Sequence, residues 1–141
     1  MNIVVCVDDA MGMSFNNRRQ SQDRILREKI LNITKGTTLW MSSYSAKQFT
    51  QEQQQFLMVS DDYLKKAEEG DYCYVERENL MPFLNKIEKV LLCKWNRRYP
   101  ADVYFPEFLQ EESWKGIILE EFTGSSHEKI TIEEWDRMNN K

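Results

Sequence analysis

No stretch of this chain reaches the roughly 18 consecutive apolar residues that a membrane-spanning helix requires. The first residues, MNIVVCVDDAMG, lack a basic leader and turn acidic after seven positions, so they read as a first strand and not as a targeting peptide. Cysteine is scarce: Cys6, Cys73 and Cys93 are the only three, and none belongs to a CxxC pair. An odd, unspaced set offers no disulfide framework, and a reducing cytoplasm is the expected location. Histidine occurs once, as His127. With the three thiols it would formally complete a Cys3His zinc set. Thiols on neighbouring strands seldom converge on a tetrahedron, however, and no ligand-spacing motif is present, so no metal is expected. A Cys/His nucleophile pair has no support either. Positive charge is in the minority, 19 Lys and Arg against 23 Asp and Glu, for a net charge of −4. That balance argues against nucleic acid and suits a basic protein partner. Repeats, low-complexity blocks and linkers are all absent, so residues 1–141 are expected to form one domain.

What is present is a core-forming share of apolar residues, 41%, alongside 30% charged residues and a mean hydropathy of −0.66. Short apolar runs at 3–7, 37–41, 56–59, 72–75 and 90–95 read as strands. Two further strand candidates, 114–121 and 129–135, flank the turn-rich Thr123-Gly124-Ser125-Ser126. Between them lie helical patterns. Ser21 is a fair N-cap for a helix to Thr34, with Asp23 in its first turn, Ile25, Leu26, Ile30 and Ile33 on one face, and Gly36 as its stop. Ser45 caps a short helix to Phe49, and Ser60 caps one that stops at Gly70. Pro82 places the start of a later helix near Met81. Residues 13–20 and the TQEQQQ segment read as exposed polar loops. Alternating strands and helices followed by two late strands indicate an α/β sheet with an antiparallel edge.

The segment LNKIEKVLLCKWNRRYPADVYFPEFLQEESW resembles, with the preceding Phe83, the C-terminal half of dihydrofolate reductase; the matching residues are Phe83, Leu84, Ile87, Val90, Leu92, Asp102, Phe105, Pro106 and Trp114, with the register unbroken from Leu84 to Pro106. VDDAMGMSFNN is similar to that family's first strand and the glycine opening its mobile active-site loop. The helix ending at Thr34, then Gly36 and the strand to Met41, is similar to its first helix and second strand. The resemblance implies a dihydrofolate-reductase-like, mainly parallel mixed sheet flanked by helices, with antiparallel C-terminal strands.

The resemblance fails at the places that would carry the family's chemistry. Its Ile-Gly-Gly turn lets the backbone approach a dinucleotide pyrophosphate, since a Cβ would block that contact. Here the strand runs Tyr74-Val75-Glu76-Arg77-Glu78. Its Met-Gly-Arg-x-Thr phosphate motif is Met41-Ser42-Ser43-Tyr44-Ser45, which keeps only the hydroxyl, at Ser45. The span from Ser45 to Val75 is short by about one strand-plus-connection unit of the adenosine region. Asp23 is the candidate for the pterin-binding carboxylate, but it lies three residues further from Thr34 than the family spacing. The threonine that partners that carboxylate corresponds to Cys93, a weaker hydrogen-bonding group.

The expected function is therefore that of a non-catalytic binding protein on a degenerate scaffold, with no nicotinamide cofactor. An inhibitor or immunity-type role toward a basic bacterial protein fits the acidity, and a small anionic ligand is the other expected partner. Candidate contact residues are Arg18 and Arg19 beside the first helix, Ser45, and the patch Trp95, Arg97, Arg98 and Tyr99, which mixes aromatic and guanidinium groups as interface hot spots do. Two alternatives stay open. One is an enzyme of different chemistry with Asp23 as acid or base and an anion-binding cleft. The other is a protein that sequesters a nucleotide or pterin.

Overall fold

A computed structural model describes residues 1–138. Strand β1 (Asn2–Val7) is the apolar run expected at the start of the chain. It lies at the centre of a seven-stranded sheet with the order β5-β4-β6-β1-β7-β10-β9, where β4 is Leu39–Met41, β5 Leu57–Val59, β6 Tyr72–Val75, β7 Lys89–Lys94, β9 Trp114–Phe122 and β10 Ile130–Arg137. β1 pairs in parallel with β6 and β7, and β4 in parallel with β5 and β6. β10 runs antiparallel to β7 and to β9. The expected α/β class, mainly parallel sheet and antiparallel C-terminal strands are therefore all present. A strand buried on both faces reads as a continuous apolar run, and Ile3, Val4, Val5 and Val7 are all fully buried.

The two faces are covered differently. On one, Ile3, Val5, Val7, Cys73, Val90 and Leu92 pack against Tyr63, Leu64, Phe105, Phe108, Leu109 and Trp114. On the other, Val4, Tyr74, Leu91, Cys93 and Ile132 meet Leu26 and Ile30 of α1 (Arg24–Ile33), then Ala46 and Phe49. The helical layer is thinner than the sequence pattern predicts. Among the described α-helices only α1 is longer than about one turn. α2 (Ser43–Ala46), α3 (Gln51–Gln54) and α4 (Tyr63–Lys66) have four residues each, and Met81–Lys86 is a 3-10 helix. The expected helix from 60 to 70 shrinks to α4. The expected helix from 45 to 49 starts earlier and ends sooner, as α2 capped by Ser42, and the TQEQQQ segment, expected as a loop, carries α3, which Thr50 caps in a capping box with Gln53.

Residues 13–20, expected to be a loop, form most of a second small sheet, β3-β2-β8: β2 (Gly12–Phe15), β3 (Arg18–Arg19) and β8 (Val103–Tyr104). Asn16 and Asn17 both sit at positive φ, 51° and 61°, the backbone that closes a two-residue hairpin and that asparagine tolerates best. Gly36 and Gly70 both have φ +86°; Gly36 follows the end of α1 as expected, whereas Gly70 turns the chain into β6, α4 having already ended at Lys66.

Cys73 lies on one face of the sheet while Cys6 and Cys93 lie on the other. Among the described residues no cluster of His, Cys, Asp and Glu could hold a metal ion. No described helix is long and apolar enough to cross a membrane.

Candidate functional site

The carboxyl ends of β1 and β7, the start of α1 and the β9–β10 turn converge on one region. The ligand-binding crevice of open α/β sheets lies at such strand ends. Asp23, and not Ser21, is the α1 N-cap: its Oδ1 accepts from the Leu26 amide at 3.1 Å. The same oxygen accepts from the Ser125 amide at 3.0 Å. Oδ2 accepts from the Ser126 amide at 2.8 Å and meets His127 Nδ1 at 3.0 Å. Burial on its own would raise the Asp23 pKa. The hydrogen bonds from Ser126, His127, Ser125 and Leu26 outweigh it and hold the carboxyl well below the usual range. All four acceptor positions are engaged and the side chain is fully buried, so none is left to take a substrate proton.

His127 is buried, with its ring stacked on Trp95 at 4.5 Å between centroids. Its Nε2 lies 3.0 Å from Ser21 Oγ and 3.0 Å from Tyr99 Oη. Ser21, His127 and Asp23 thus stand in the order of a nucleophile, base and orienting carboxylate. Yet the imidazole is enclosed by Trp95 and shares one nitrogen between two hydroxyls, so the arrangement works as a junction joining the α1 start, the β7 exit and the β9–β10 turn. Gly124 is required beside it, because a Cβ there would run into the Asp23 carboxylate.

A second buried carboxylate stands where β6 ends. Glu76 accepts from Arg19 Nε at 2.8 Å and Arg19 Nη2 at 3.1 Å, from Ser45 Oγ at 2.7 Å, and from Gln48 Nε2 at 3.3 Å. Glu78 Oε1 accepts from the amides of Glu76 and Arg77, both at 3.3 Å, and from Tyr63 Oη at 2.8 Å. Tyr44 lies between two guanidiniums, Arg19 at 4.3 Å and Arg77 at 3.7 Å from its ring centre. The amides, hydroxyl and guanidinium that could have received an anion here are bonded to the chain's own carboxylates.

A third buried carboxylate, Asp8, accepts from the amides of Ala10, Gly12 and Tyr99 and from Gln20 Nε2. Burial would raise its pKa, but these bonds win and lower it. Through Asp8 the first strand fixes the backbone at Tyr99.

In front of this framework lies an open concavity of about 480 Å³, lined by Phe15, Asn16, Arg18, Arg19, Gln20, Tyr99 and Pro100. Arg18 is exposed and Tyr99 half-buried; Arg97 and Arg98, next to Tyr99 in sequence, are exposed. None of the ion pairs among the described residues involves Arg18, Arg97 or Arg98.

The sequence-predicted residues thus separate into two groups. Arg18, Arg97, Arg98 and Tyr99 reach the surface. Arg19 and Ser45 are taken up by Glu76, Trp95 is buried behind His127, and Asp23 is sealed in its own hydrogen bonds. Sequence reasoning missed Asp8, Glu76 and His127 as ordering groups. The signal for His127 was its place after Gly124-Ser125-Ser126, a run whose amides turned out to face a carboxylate within the chain rather than an external anion. No protein-family model matches the chain, and no curated protein matches it.

Proposed function

We propose that this is a non-catalytic binding protein built on a degenerate dihydrofolate-reductase-like scaffold, and that its recognition surface is the face carrying Arg18, Arg97, Arg98 and Tyr99. The observation that carries this reading is the open concavity of about 480 Å³ lined by Arg18 and Tyr99, with the exposed guanidiniums of Arg97 and Arg98 close to Tyr99 in sequence and no ion pair among the described residues at any of the three arginines. Some exposed cations of the chain have a carboxylate partner, among them Arg24, Lys66 and Lys129. Arginines without one, beside a phenol and a concavity, suit an anionic group on a ligand or on an acidic segment of a protein. The inhibitor or immunity-type role toward a basic bacterial partner rests on overall acidity and would use a different surface.

Two features support the absence of nicotinamide chemistry. Glu76 and Glu78 take up the donors at the end of β6, and like charges there oppose a pyrophosphate by about 1–4 kcal/mol at 4 Å. Asp23 is engaged by four donors, which weakens the alternative of an enzyme using it as acid or base.

The experiment is calorimetric titration at low salt with inorganic pyrophosphate and, separately, NADPH. Pyrophosphate binding is expected to weaken as salt rises and to disappear in the Arg18→Ala, Arg97→Ala, Arg98→Ala triple variant with little change in melting temperature. Failure of pyrophosphate to bind at low salt would overturn the anion-recognition reading. Tight NADPH binding, or dihydrofolate-dependent NADPH oxidation, would overturn the exclusion of reductase activity.

A further inference from the structure

Strand β9 forms one edge of the seven-stranded sheet, and every residue from Lys115 to Glu121 is exposed. Its centre is apolar: Ile117 is 61% exposed, Ile118 62% and Leu119 43%. A long edge strand with exposed apolar side chains is a template for pairing with another strand, and proteins that stay monomeric blunt it with charge, proline or brevity. This strand has nine residues, no proline, and charges only at its ends.

The arrangement of those charges is self-complementary. Lys115 stands before the apolar centre, and Glu120 and Glu121 stand after it. Parallel pairing of two copies would set lysine near lysine and glutamate near glutamate. Antiparallel pairing about a two-fold axis at Ile118 sets Lys115 opposite Glu121 and Ile117 opposite Leu119, with Ile118 opposite itself. Lys115 enters no ion pair among the described residues, whereas Glu120 meets Lys29, and Glu121 meets the exposed Lys129 at 3.5 Å and accepts from Thr131 Oγ1, so Lys115 of a second copy would share Glu121 with these partners. Opposite charges facing across an antiparallel pair stabilise it, and like charges destabilise it.

We infer that β9 is a homodimerisation edge, its occupant a second copy of this chain joined antiparallel about Ile118 into one continuous fourteen-stranded sheet, twice the seven of each copy. A two-fold contact closes on itself, whereas pairing β9 with the other edge, β5, would propagate into a filament. One feature limits the affinity. The register with β10 shifts at Ile132/Glu133, a bulge that bends β9 near the proposed axis and interrupts the ladder there. A strand of nine residues is only about 30 Å long, so the contact falls in the small, weak class of interfaces.

The test is sedimentation equilibrium of the full chain from about 1 µM to about 1 mM, the range where interfaces of this class dissociate. The wild type is expected to pass from monomer to dimer. Ile118→Asp, at an exposed position, is expected to weaken the dimer by about tenfold or more, which corresponds to roughly 1.4 kcal/mol, with an unchanged melting temperature. Lys115→Glu is expected to weaken it, and adding Glu121→Lys in the same chain to restore it. A wild type that stays monomeric throughout overturns the proposal, as does a dimer indifferent to Ile118→Asp. If the double variant is destabilised, Lys115→Glu decides alone: a dimer that Lys115→Glu leaves unchanged overturns the assigned register.

Discussion

Asp23 ties the start of α1 to the β9–β10 turn. Replacing it with alanine leaves three backbone amides and His127 Nδ1 without their acceptor. Removing one partner of a buried charged network costs about 3–5 kcal/mol, and urea unfolding of Asp23→Ala should read a loss of that order. The pH dependence has a definite sign. The folded-state pKa of Asp23 lies below its unfolded value of about 3.9. Its contribution is therefore complete above about pH 4 and is lost as pH falls through the folded pKa. Asp8, also lowered, acts in the same direction. Unfolding curves of the wild type below pH 4 should show a steep fall in stability that Asp23→Asn makes shallower. Gly124→Ala presses a methyl group onto the same carboxylate and should destabilise by about 1–3 kcal/mol, the usual cost of overpacking.

At the scale of elements, the ion pair of Arg19 and Glu76 ties β3, in the small sheet, to the end of β6, in the large one. Their side chains are 20% and 7% exposed, so solvent screens the pair only in part. A double-mutant cycle of Arg19→Ala and Glu76→Ala should show coupling of about 0.5–3 kcal/mol. If the coupling is absent, the two sheets are held by packing and by the hydrogen bonds of Asp8 to Gly12 and Gln20 and of Arg77 to the Asn17 carbonyl. Legibility from sequence also differed element by element. β6 and β7 announced themselves through apolar runs, because both are buried where their patterns show. β2, β3 and β8 did not, because strands of four, two and two residues carry little or no periodicity. The informative pair there was Asn16-Asn17, whose tolerance of positive φ sets the turn. Helices were overestimated after Ser60, where polar residues on either side of Tyr63 and Leu64 support a single turn and no more. At the candidate site, the exposed arginines could be named from composition. The partners that immobilise Arg19 and Asp23 could not, since Glu76 and His127 lie more than fifty residues away from them in sequence.

For the whole molecule, the parallel centre of the sheet should be its most persistent part. β1 is paired on both sides and buried on both faces, whereas β5 and β9 have one neighbour each and exposed apolar residues. Local opening follows burial and pairing. Native-state hydrogen exchange should therefore find the slowest amides in β1, β6 and β7 and the fastest strand amides in β5. Protection in β9 that rises with protein concentration would accompany the proposed dimer.

The carboxylates of Glu76 and Glu78 give the end of β6 an anion that is part of the polypeptide. A tethered group competes at an effective concentration on the order of millimolar or more, and it cannot be dialysed away. A free phosphate would have to displace a competitor that is always present, so the turn gains its order during folding and needs no visitor to complete it.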